Sequence, residues 1–259
     1  MERPDFNLKY SKQDFPFIAK DEFDYHAEQL IRMYDSKLLE CPQTIPIELI
    51  IEALGIDLSY EEFRNKNELG KTLMSNGTVE IKKENHYLWL PYKKGDIIIS
   101  SELEQCGIEG RIRFTEAHEL GHNLYHLPKD YDRQNMLFDI ENTETEAKAI
   151  VCKREDIKSV LDLSNIYERK ETIIKEWQAN RFASSVLMPR TSALSFARKN
   201  LPEIEFRFME ETPLPFETLS YYEKQNFIKN FAECFAVSKE AAKIRLQTLG
   251  IVPKSEHSI

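Results

Sequence analysis

The spacing of apolar residues divides the first sixty residues into helical and extended segments. From Asp21 to Glu40, apolar side chains recur every three or four residues, which predicts an amphipathic helix. A shorter helix is predicted to open at Thr44-Ile45-Pro46, because proline suits a first turn, and to end at Gly55. Residues 56–60 alternate between apolar and polar, so the chain is expected to continue as a strand.

Two glycine-containing turns predict β-hairpins in the following segment. Asn76-Gly77 separates the extended stretches 71–74 and 78–81, and Lys93-Lys94-Gly95 separates 87–92 from 96–100. We therefore expect a small, mostly antiparallel sheet ahead of residue 109. The edge of such a sheet can hold an extended peptide by backbone pairing, as peptidases do with their substrates.

Two long helices are predicted in the middle of the chain. The first runs from about Glu109 to His126 and is stopped by Pro128, and the second covers 173–187 and ends before Pro189. Gly121 lies inside the first helix, where glycine costs about 1 kcal/mol relative to alanine. Its presence indicates that another part of the chain packs closely there.

The remaining segments carry weaker patterns. Residues 1–20 are polar and irregular and are expected to form an arm. Residues 127–171 are highly charged and are interpreted as a variable connection, with a candidate helix at 147–163. The part from 190 to 259 is predicted to be a helical subdomain, with helices over 216–231 and 238–250, the latter capped by Ser238.

Composition narrows the class of protein. The net charge of −9 argues against a general nucleic-acid binder, since affinity for phosphates needs a basic surface. The four cysteines are scattered without a C-x-x-C pair, which is typical of a reducing compartment. There is no signal-peptide pattern and no apolar run of membrane-spanning length. We therefore expect a cytoplasmic protein without a membrane partner.

The strongest motif is H-E-x-x-H, formed by His118, Glu119 and His122. Residues four apart lie on one face of a helix, so both imidazoles can bind a single metal ion. Zinc suits imidazole nitrogen, and a catalytic zinc has three protein ligands and one open position. Glu119 would lie beside that position as the catalytic base. The plain alternative is a solvated helix with two unrelated histidines.

The third ligand must come from elsewhere in the chain. Position 128 is proline, which excludes a histidine at H-E-x-x-H-x-x-G-x-x-H spacing. Glu176 is the best candidate because it lies on the second long helix, and Asn180, one turn later, could orient a ligating histidine. Three carboxylates are weaker candidates because they lie in the variable connection: Asp132, Glu144 and Glu146.

A donor for the developing oxyanion is also required by peptide hydrolysis. The sequence offers Tyr125 and His126 on the motif helix, and Tyr131 and Tyr167 in the connection. His126 lies about 12 Å along the helix from His118, too far to share its ion. It is interpreted as a group that supports the ligands, contacts substrate, or simply lies on the surface.

The two motifs together resemble the ImmA/IrrE family of zinc metallo-endopeptidases. The resemblance is carried by Arg113-Phe114-Thr115-x-Ala117-His118-Glu119-Leu120-Gly121-His122 and by Glu176-x-Gln178-Ala179-Asn180-x-Phe182-Ala183-x-x-x-Leu187-Met188-Pro189. Segments 46–56 and 235–250 are also similar to that family, so the resemblance covers most of 22–252.

The resemblance implies an α+β fold in which a small, mostly antiparallel sheet packs on a zincin-like H-E-x-x-H helix and a second ligand-bearing helix. Residues 21–189 would form the metallopeptidase domain and 190–259 the helical subdomain. It further implies one catalytic Zn²⁺ on His118, His122 and Glu176, with Glu119 as base. The implied substrate is a protein, typically a helix-turn-helix repressor acting in stress responses or mobile-element control.

Three hypotheses for function follow. The first is zinc-dependent endoproteolysis of such a repressor. The second is a regulatory protein that uses a peptidase scaffold to inactivate a partner without efficient cleavage. The third is direct DNA binding by 238–250, which the balanced charge of the C-terminal part does not favour.

Overall fold

The computed structural model describes residues 1–11, 15–105, 109–127, 145–154, 171–201 and 216–253. It has a mixed α+β fold in which most buried apolar side chains belong to one core cluster. That cluster includes residues from the first helix, both long central helices and the C-terminal helices. Within these ranges no helix is both long and apolar enough to cross a membrane.

The helices lie close to their predicted positions. Helix α1 spans Glu22–Asp35 and is followed by a 3-10 turn at Ser36–Leu39, and α2 spans Ile47–Ala53. Further along the chain are α3 (Glu102–Gln105), α4 (Glu109–His126), α5 (Glu171–Leu187), α6 (Arg190–Asn200), α7 (Tyr221–Cys234) and α8 (Lys239–Thr248). The predicted bounds of α4 are confirmed, and Ser238 caps α8 by accepting from the Ala241 N–H. The helix expected from residue 216 begins later, at Tyr221, because Ser220 and Glu223 form a capping box there.

The strands pair differently from the prediction. A four-stranded sheet has the order β3-β7-β4-β8 and consists of β3 (Leu58–Glu61), β7 (Ile97–Ser100), β4 (Glu68–Leu73) and β8 (Ala149–Lys153). β3 and β7 are parallel, and the other two pairs are antiparallel. Separately, β5 (Gly77–Lys83) and β6 (His86–Tyr92) form a two-stranded ribbon.

Both predicted hairpins are therefore wrong. Asn76-Gly77 does not join paired strands, because β4 enters the four-stranded sheet while β5 leaves it for the ribbon. Lys93-Lys94-Gly95 likewise carries the chain from the ribbon back into that sheet. The actual hairpin turns at Glu84-Asn85, where Glu84 adopts a positive φ of 54°. The main sheet is stabilised by long-range pairing of the isoleucine-rich β7, which local turn signals do not reveal.

The connection 127–171 is partly described, and it contains a strand. Residues 149–153 form β8 at the sheet edge, so the candidate helix at 147–163 is wrong over this stretch. Two backbone hydrogen bonds hold the residues that precede β8. The Thr78 N–H donates to the Thr145 carbonyl, and the Met74 N–H donates to the Lys148 carbonyl. The remainder of the candidate helix, 155–163, lies outside the described residues.

The two long helices cross in direct contact. At the crossing Gly121 of α4 faces α5, and a Cβ added there would lie 3.1 Å from the Ala179 Cα and 3.3 Å from a Phe182 ring carbon. The close packing expected from this glycine is thereby explained. Strands β4 and β7 also contact the motif helix, so α4 packs against both the sheet and α5.

The two ends of the chain also join this core. The arm contains a short ribbon of β1 (Lys9–Tyr10) and β2 (Pro16–Phe17), and Arg3 donates a hydrogen bond to the Asn123 side chain at 2.9 Å. At the other end, the side chain of Arg245 in α8 is buried and pairs with Asp24 of α1 at 2.6 Å. Arg245 also donates to the Met188 carbonyl and to Ser185, so α1, α5 and α8 meet around one guanidinium.

Candidate metal centre

Helix α4 places the two motif histidines side by side in the core. Their i, i+4 spacing puts both rings on one face, and the two Nε2 atoms are 3.0 Å apart. Both side chains are fully buried. Two imidazole nitrogens at this separation are close enough to bind one cation.

Helix α5 brings the predicted third ligand to the same point. Glu176 Oε2 lies 3.1 Å from His118 Nε2, and Oε1 lies 3.3 Å from His122 Nε2. Tetrahedral zinc with bonds of about 2.0–2.1 Å separates its ligand atoms by about 3.3 Å. The three side chains therefore match the spacing and donor chemistry of a His₂Glu metal site.

The hydrogen bond of His118 sets its tautomer. His118 Nδ1 is 2.9 Å from Asn180 Oδ1, and an amide oxygen is only an acceptor, so Nδ1 carries the proton. Nε2 then presents a lone pair to Glu176, as a metal ligand requires. Asn180 thus has the orienting position predicted for it.

A longer relay sets the tautomer of His122. The Gln178 amide donates from Nε2 to the Pro16 carbonyl at 2.6 Å, which orients its Oε1 towards His126 Nε2 at 2.9 Å. His126 therefore has its proton on Nε2 and a lone pair on Nδ1. That lone pair accepts from His122 Nδ1 at 2.9 Å, which leaves His122 Nε2 free to bind a metal ion.

The charge balance of the cluster favours a cation. Burial lowers the pKa of His118, but Cys152 and Glu176 outweigh it and raise that pKa well above its usual value. Burial raises the pKa of Glu176, yet His122 and His118 hold it below its ordinary range. Burial lowers the pKa of His126 well below its usual value, so this ring stays neutral in the relay. A carboxylate next to two imidazole lone pairs is stabilised by a proton or a metal ion at their centre.

Glu119 is held beside this cluster by strand β4. Its Oε2 accepts a hydrogen bond from the Thr72 hydroxyl at 2.6 Å, while its Oε1 is buried without a partner among the described residues. A Cβ added at Gly70 would lie 2.6 Å from that Oε1, so glycine provides the space for the carboxylate. Burial raises the pKa of Glu119 to about 8.

Cys152 of β8 is the remaining reactive group next to the cluster. Its Sγ, a ring nitrogen of His118 and a carboxylate oxygen of Glu119 all lie within 4.8 Å of one another. The cysteine is fully buried, and burial raises the pKa of its thiol to about 11. No sequence pattern selects this cysteine, because it lies in the charged connection without any motif.

Several predicted site residues have other positions. The Tyr125 hydroxyl is 3.1 Å from His26 Nδ1 and its ring packs against Phe23 and Phe182, so its described contacts are with the core. His126 is buried and hydrogen-bonded to His122, so of its three alternatives the surface position is wrong and the ligand-supporting position fits its contacts. Glu146 is exposed and is absent from both candidate ligand groups found in the described chain. Tyr131, Asp132, Glu144 and Tyr167 lie outside the described residues.

Gln178, Thr72 and Gly70 were not selected from the sequence. Gln178 is two residues from Glu176 in the same motif, so its position in the sequence could have indicated that it lies near the metal ligands. Thr72 and Gly70 reach the site only through the fold of β4 against α4.

Comparison with models of protein families, with curated proteins and with solved structures finds no match to this chain. The centre is therefore defined by its own geometry. His118, His122 and Glu176 form a group able to hold a metal ion, within an α+β fold.

Proposed function

We propose that this chain is a zinc-dependent endopeptidase with a zincin-like arrangement of its motif helix. The observation that carries the proposal is the convergence of His118, His122 and Glu176 within 3.0–3.3 Å, with the Glu119 carboxylate buried beside them. The tautomers set by Asn180 and by the Gln178–His126 relay support the same conclusion.

Zinc is the ion that best suits two imidazoles and a carboxylate, and when bound it would polarise a peptide carbonyl and acidify a water molecule. Glu119 accepts the proton of the attacking water through its free Oε1, while Thr72 keeps the carboxylate in position. The raised pKa of Glu119 lets it retain that proton and then donate it to the leaving amine.

The proposed substrate is a protein, and the resemblance to the ImmA/IrrE family points to a DNA-binding repressor of the helix-turn-helix type. The acidic composition supports a protein substrate rather than direct nucleic-acid binding. A helix-turn-helix protein would expose a basic surface, which complements the net charge of −9.

The test compares metal content and cleavage in four proteins: the wild type, Glu119→Gln, Glu176→Ala and Glu116→Gln. Glu116 is a matched control, because it is a buried glutamate of the same helix that accepts from the Tyr60 hydroxyl. Cleavage is measured by mass spectrometry on a denatured-protein peptide pool and on candidate repressors.

We expect the wild type and Glu116→Gln to hold one zinc and to cleave, Glu119→Gln to hold zinc without cleaving, and Glu176→Ala to lose the ion. Cleavage by Glu119→Gln at the wild-type rate would refute the assigned base. Full zinc content in Glu176→Ala would refute the ligand set.

A second candidate function is inactivation of a partner by binding, with cleavage slow or absent. The observation that favours it is that β8 covers β4, the strand that carries Thr72 and Gly70. If binding alone suffices, Glu119→Gln will still release a repressor from its operator. If hydrolysis is required, that variant will have no effect on the operator complex.

A further inference from the structure

The β5–β6 ribbon has one open edge among the described residues. β5 is flanked on both sides, by β6 and by the isolated bridges that join Lys82 to Glu62 and Thr78 to Glu146. β6 pairs with β5 alone among the described strands, so its second edge faces no strand. An exposed edge presents a row of backbone N–H and C=O groups that can pair with another chain.

The hydrogen bonds of β5 show which backbone groups of β6 face that open edge. The Thr78 N–H donates to the Thr145 carbonyl and so points away from β6. Thr78 lies opposite Pro91, which makes this a pair that exchanges no hydrogen bonds, and the backbone groups of Pro91 point away from β5. Tyr87 and Trp89 alternate in step with Pro91, so their N–H and C=O groups also face outward.

The side chains along this edge are large and apolar. Tyr87, Leu88 and Trp89 are 42%, 47% and 52% exposed. Edge strands are usually protected by charged side chains, but β6 has no lysine, arginine or acidic residue from end to end. The Arg64 guanidinium lies 4.2 Å from the centre of the Tyr87 ring, which holds that ring on the face it shares with Trp89.

We propose that β6 is the interface of a symmetric homodimer, in which the β6 strands of two copies pair antiparallel about a two-fold axis at Trp89. Trp89 then lies opposite the partner's Trp89, and each donates its N–H to the other's carbonyl. Tyr87 lies opposite the partner's Pro91 and donates to its carbonyl. The Tyr87 carbonyl gains no donor there, because proline has no N–H. The proposal does not depend on the metal centre or on hydrolysis.

Charge and length favour a second copy in this register. Antiparallel pairing brings the exposed Glu84 at one end of each ribbon to the exposed Lys93 at the other end of its partner, so opposite charges meet twice. Parallel pairing would bring like charges together. An axis at Trp89 pairs the whole strand His86–Tyr92 with itself, over about 24 Å by strand rise. Moving the axis by one residue leaves one end of each strand unpaired.

The plain alternative is a monomer that exposes a few aromatic side chains, as many monomers do. Pro91 would then protect the edge by removing a donor from it. This alternative predicts one molar mass at every concentration. A strand-to-strand interface of small area instead predicts a dimer that dissociates in the micromolar range.

The first test measures molar mass by analytical ultracentrifugation of the full-length protein across the micromolar range. The variants are Trp89→Lys and a matched control, Tyr222→Lys, whose tyrosine is 73% exposed on α7. Circular dichroism confirms that each variant is folded. We expect concentration-dependent dimers in the wild type and in Tyr222→Lys, and a monomer in Trp89→Lys.

Two results of this test would overturn the proposal. One is a wild type that stays monomeric up to about 1 mM; if its tryptophan fluorescence then shifts on addition of a denatured-protein peptide pool, the edge belongs to extended peptides instead. The other is a folded Trp89→Lys that dimerises as the wild type does.

A cross-linking test checks the register and does not require Trp89→Lys to fold. Trp89→Cys and Tyr87→Cys are made in a Cys41→Ser background, because Cys41 is exposed. Opposed Cβ atoms of paired strands are about 4.5–5.5 Å apart, close to disulfide distance, whereas the two copies of residue 87 are offset by about 14 Å along the strands. Mild oxidation should therefore yield covalent dimers of Trp89→Cys and leave Tyr87→Cys monomeric. Equal cross-linking of both variants, or of neither, contradicts the proposed pairing.

Discussion

The hydrogen-bond relay behind His122 makes a sharp prediction for Gln178. In Gln178→Met the side chain keeps its approximate length and volume but can neither accept from His126 Nε2 nor donate to the Pro16 carbonyl. His126 can then carry its proton on Nδ1, where it would point at the Nδ1–H of His122. His122 responds by carrying its proton on Nε2, the atom that should bind the metal ion.

The substitution Gln178→Met should weaken both metal affinity and the stability of the metal-free protein. Removing the partner of a metal-binding histidine weakens metal affinity about 10- to 100-fold, or about 1.4–2.7 kcal/mol. In the metal-free protein, the two buried groups left without partners cost about 1–3 kcal/mol each in the free energy of unfolding. The variant should therefore be less stable without metal and should gain less stability when zinc is added.

Zinc affinity is measured by competition with a chromophoric chelator, and stability by denaturant unfolding of the metal-free proteins. Gln247→Met is the matched control, because Gln247 also donates to a proline carbonyl, that of Pro253, but on α8. It should bind zinc as the wild type does. If Gln178→Met also binds zinc with wild-type affinity, the relay does not set the tautomer of His122 and this reasoning fails.

Three further predictions concern packing and pH. Gly121→Ala gains about 1 kcal/mol of helix propensity but loses about 1–3 kcal/mol to overpacking at Ala179, so the free energy of unfolding should fall by at most about 2 kcal/mol. Zinc affinity should fall several-fold, and unchanged affinity would mean that the helix crossing does not position Glu176. Gly70→Ala displaces the Glu119 carboxylate and should lower the rate of cleavage about 100-fold at full zinc content. Turnover by Gly70→Ala at the wild-type rate would contradict this prediction. Burial lowers the pKa of His26 to about 4, so the unfolded chain binds more protons than the folded protein between about pH 6.5 and pH 4. The free energy of unfolding should therefore fall by at most about 3 kcal/mol as the pH drops through that window. His26→Gln should flatten this part of the stability–pH curve, and an unaltered slope would assign the acid sensitivity to other groups.

Local periodicity was enough to predict the ligand-bearing helices. The i, i+4 spacing of His118 and His122 is a property of the helix itself, and Glu176 and Asn180 are related by the same single turn on α5. Pro128 and Pro189 fall just beyond the observed helix ends. Such features depend only on neighbouring residues, so the sequence contains them fully.

The strand order and the surroundings of Glu119 depend on residues far apart in the chain. Asn76-Gly77 has the composition of a hairpin turn, yet pairing of β4 with β7 and β8 outweighs that local preference. The contact between Gly70 and Glu119 spans 49 positions, from 70 to 119, and the Cys152 thiol comes from a segment without any motif. No turn or period in the sequence encodes those contacts, which is why the sheet was misassigned and Cys152 was missed.

The ion pair between Asp24 and Arg245 has a practical consequence for any shortened version of this chain. A truncation after Pro189 would remove both cations that pair with the largely buried Asp24 carboxylate, Arg245 at 2.6 Å and Arg190 at 3.9 Å, and breaking a buried pair on one side costs about 3–5 kcal/mol. Domains of this kind are stable by only about 5–15 kcal/mol in total. An excised catalytic fragment ending near Pro189 would thus lose a large share of its stability, and its inactivity would report on folding before it reported on chemistry.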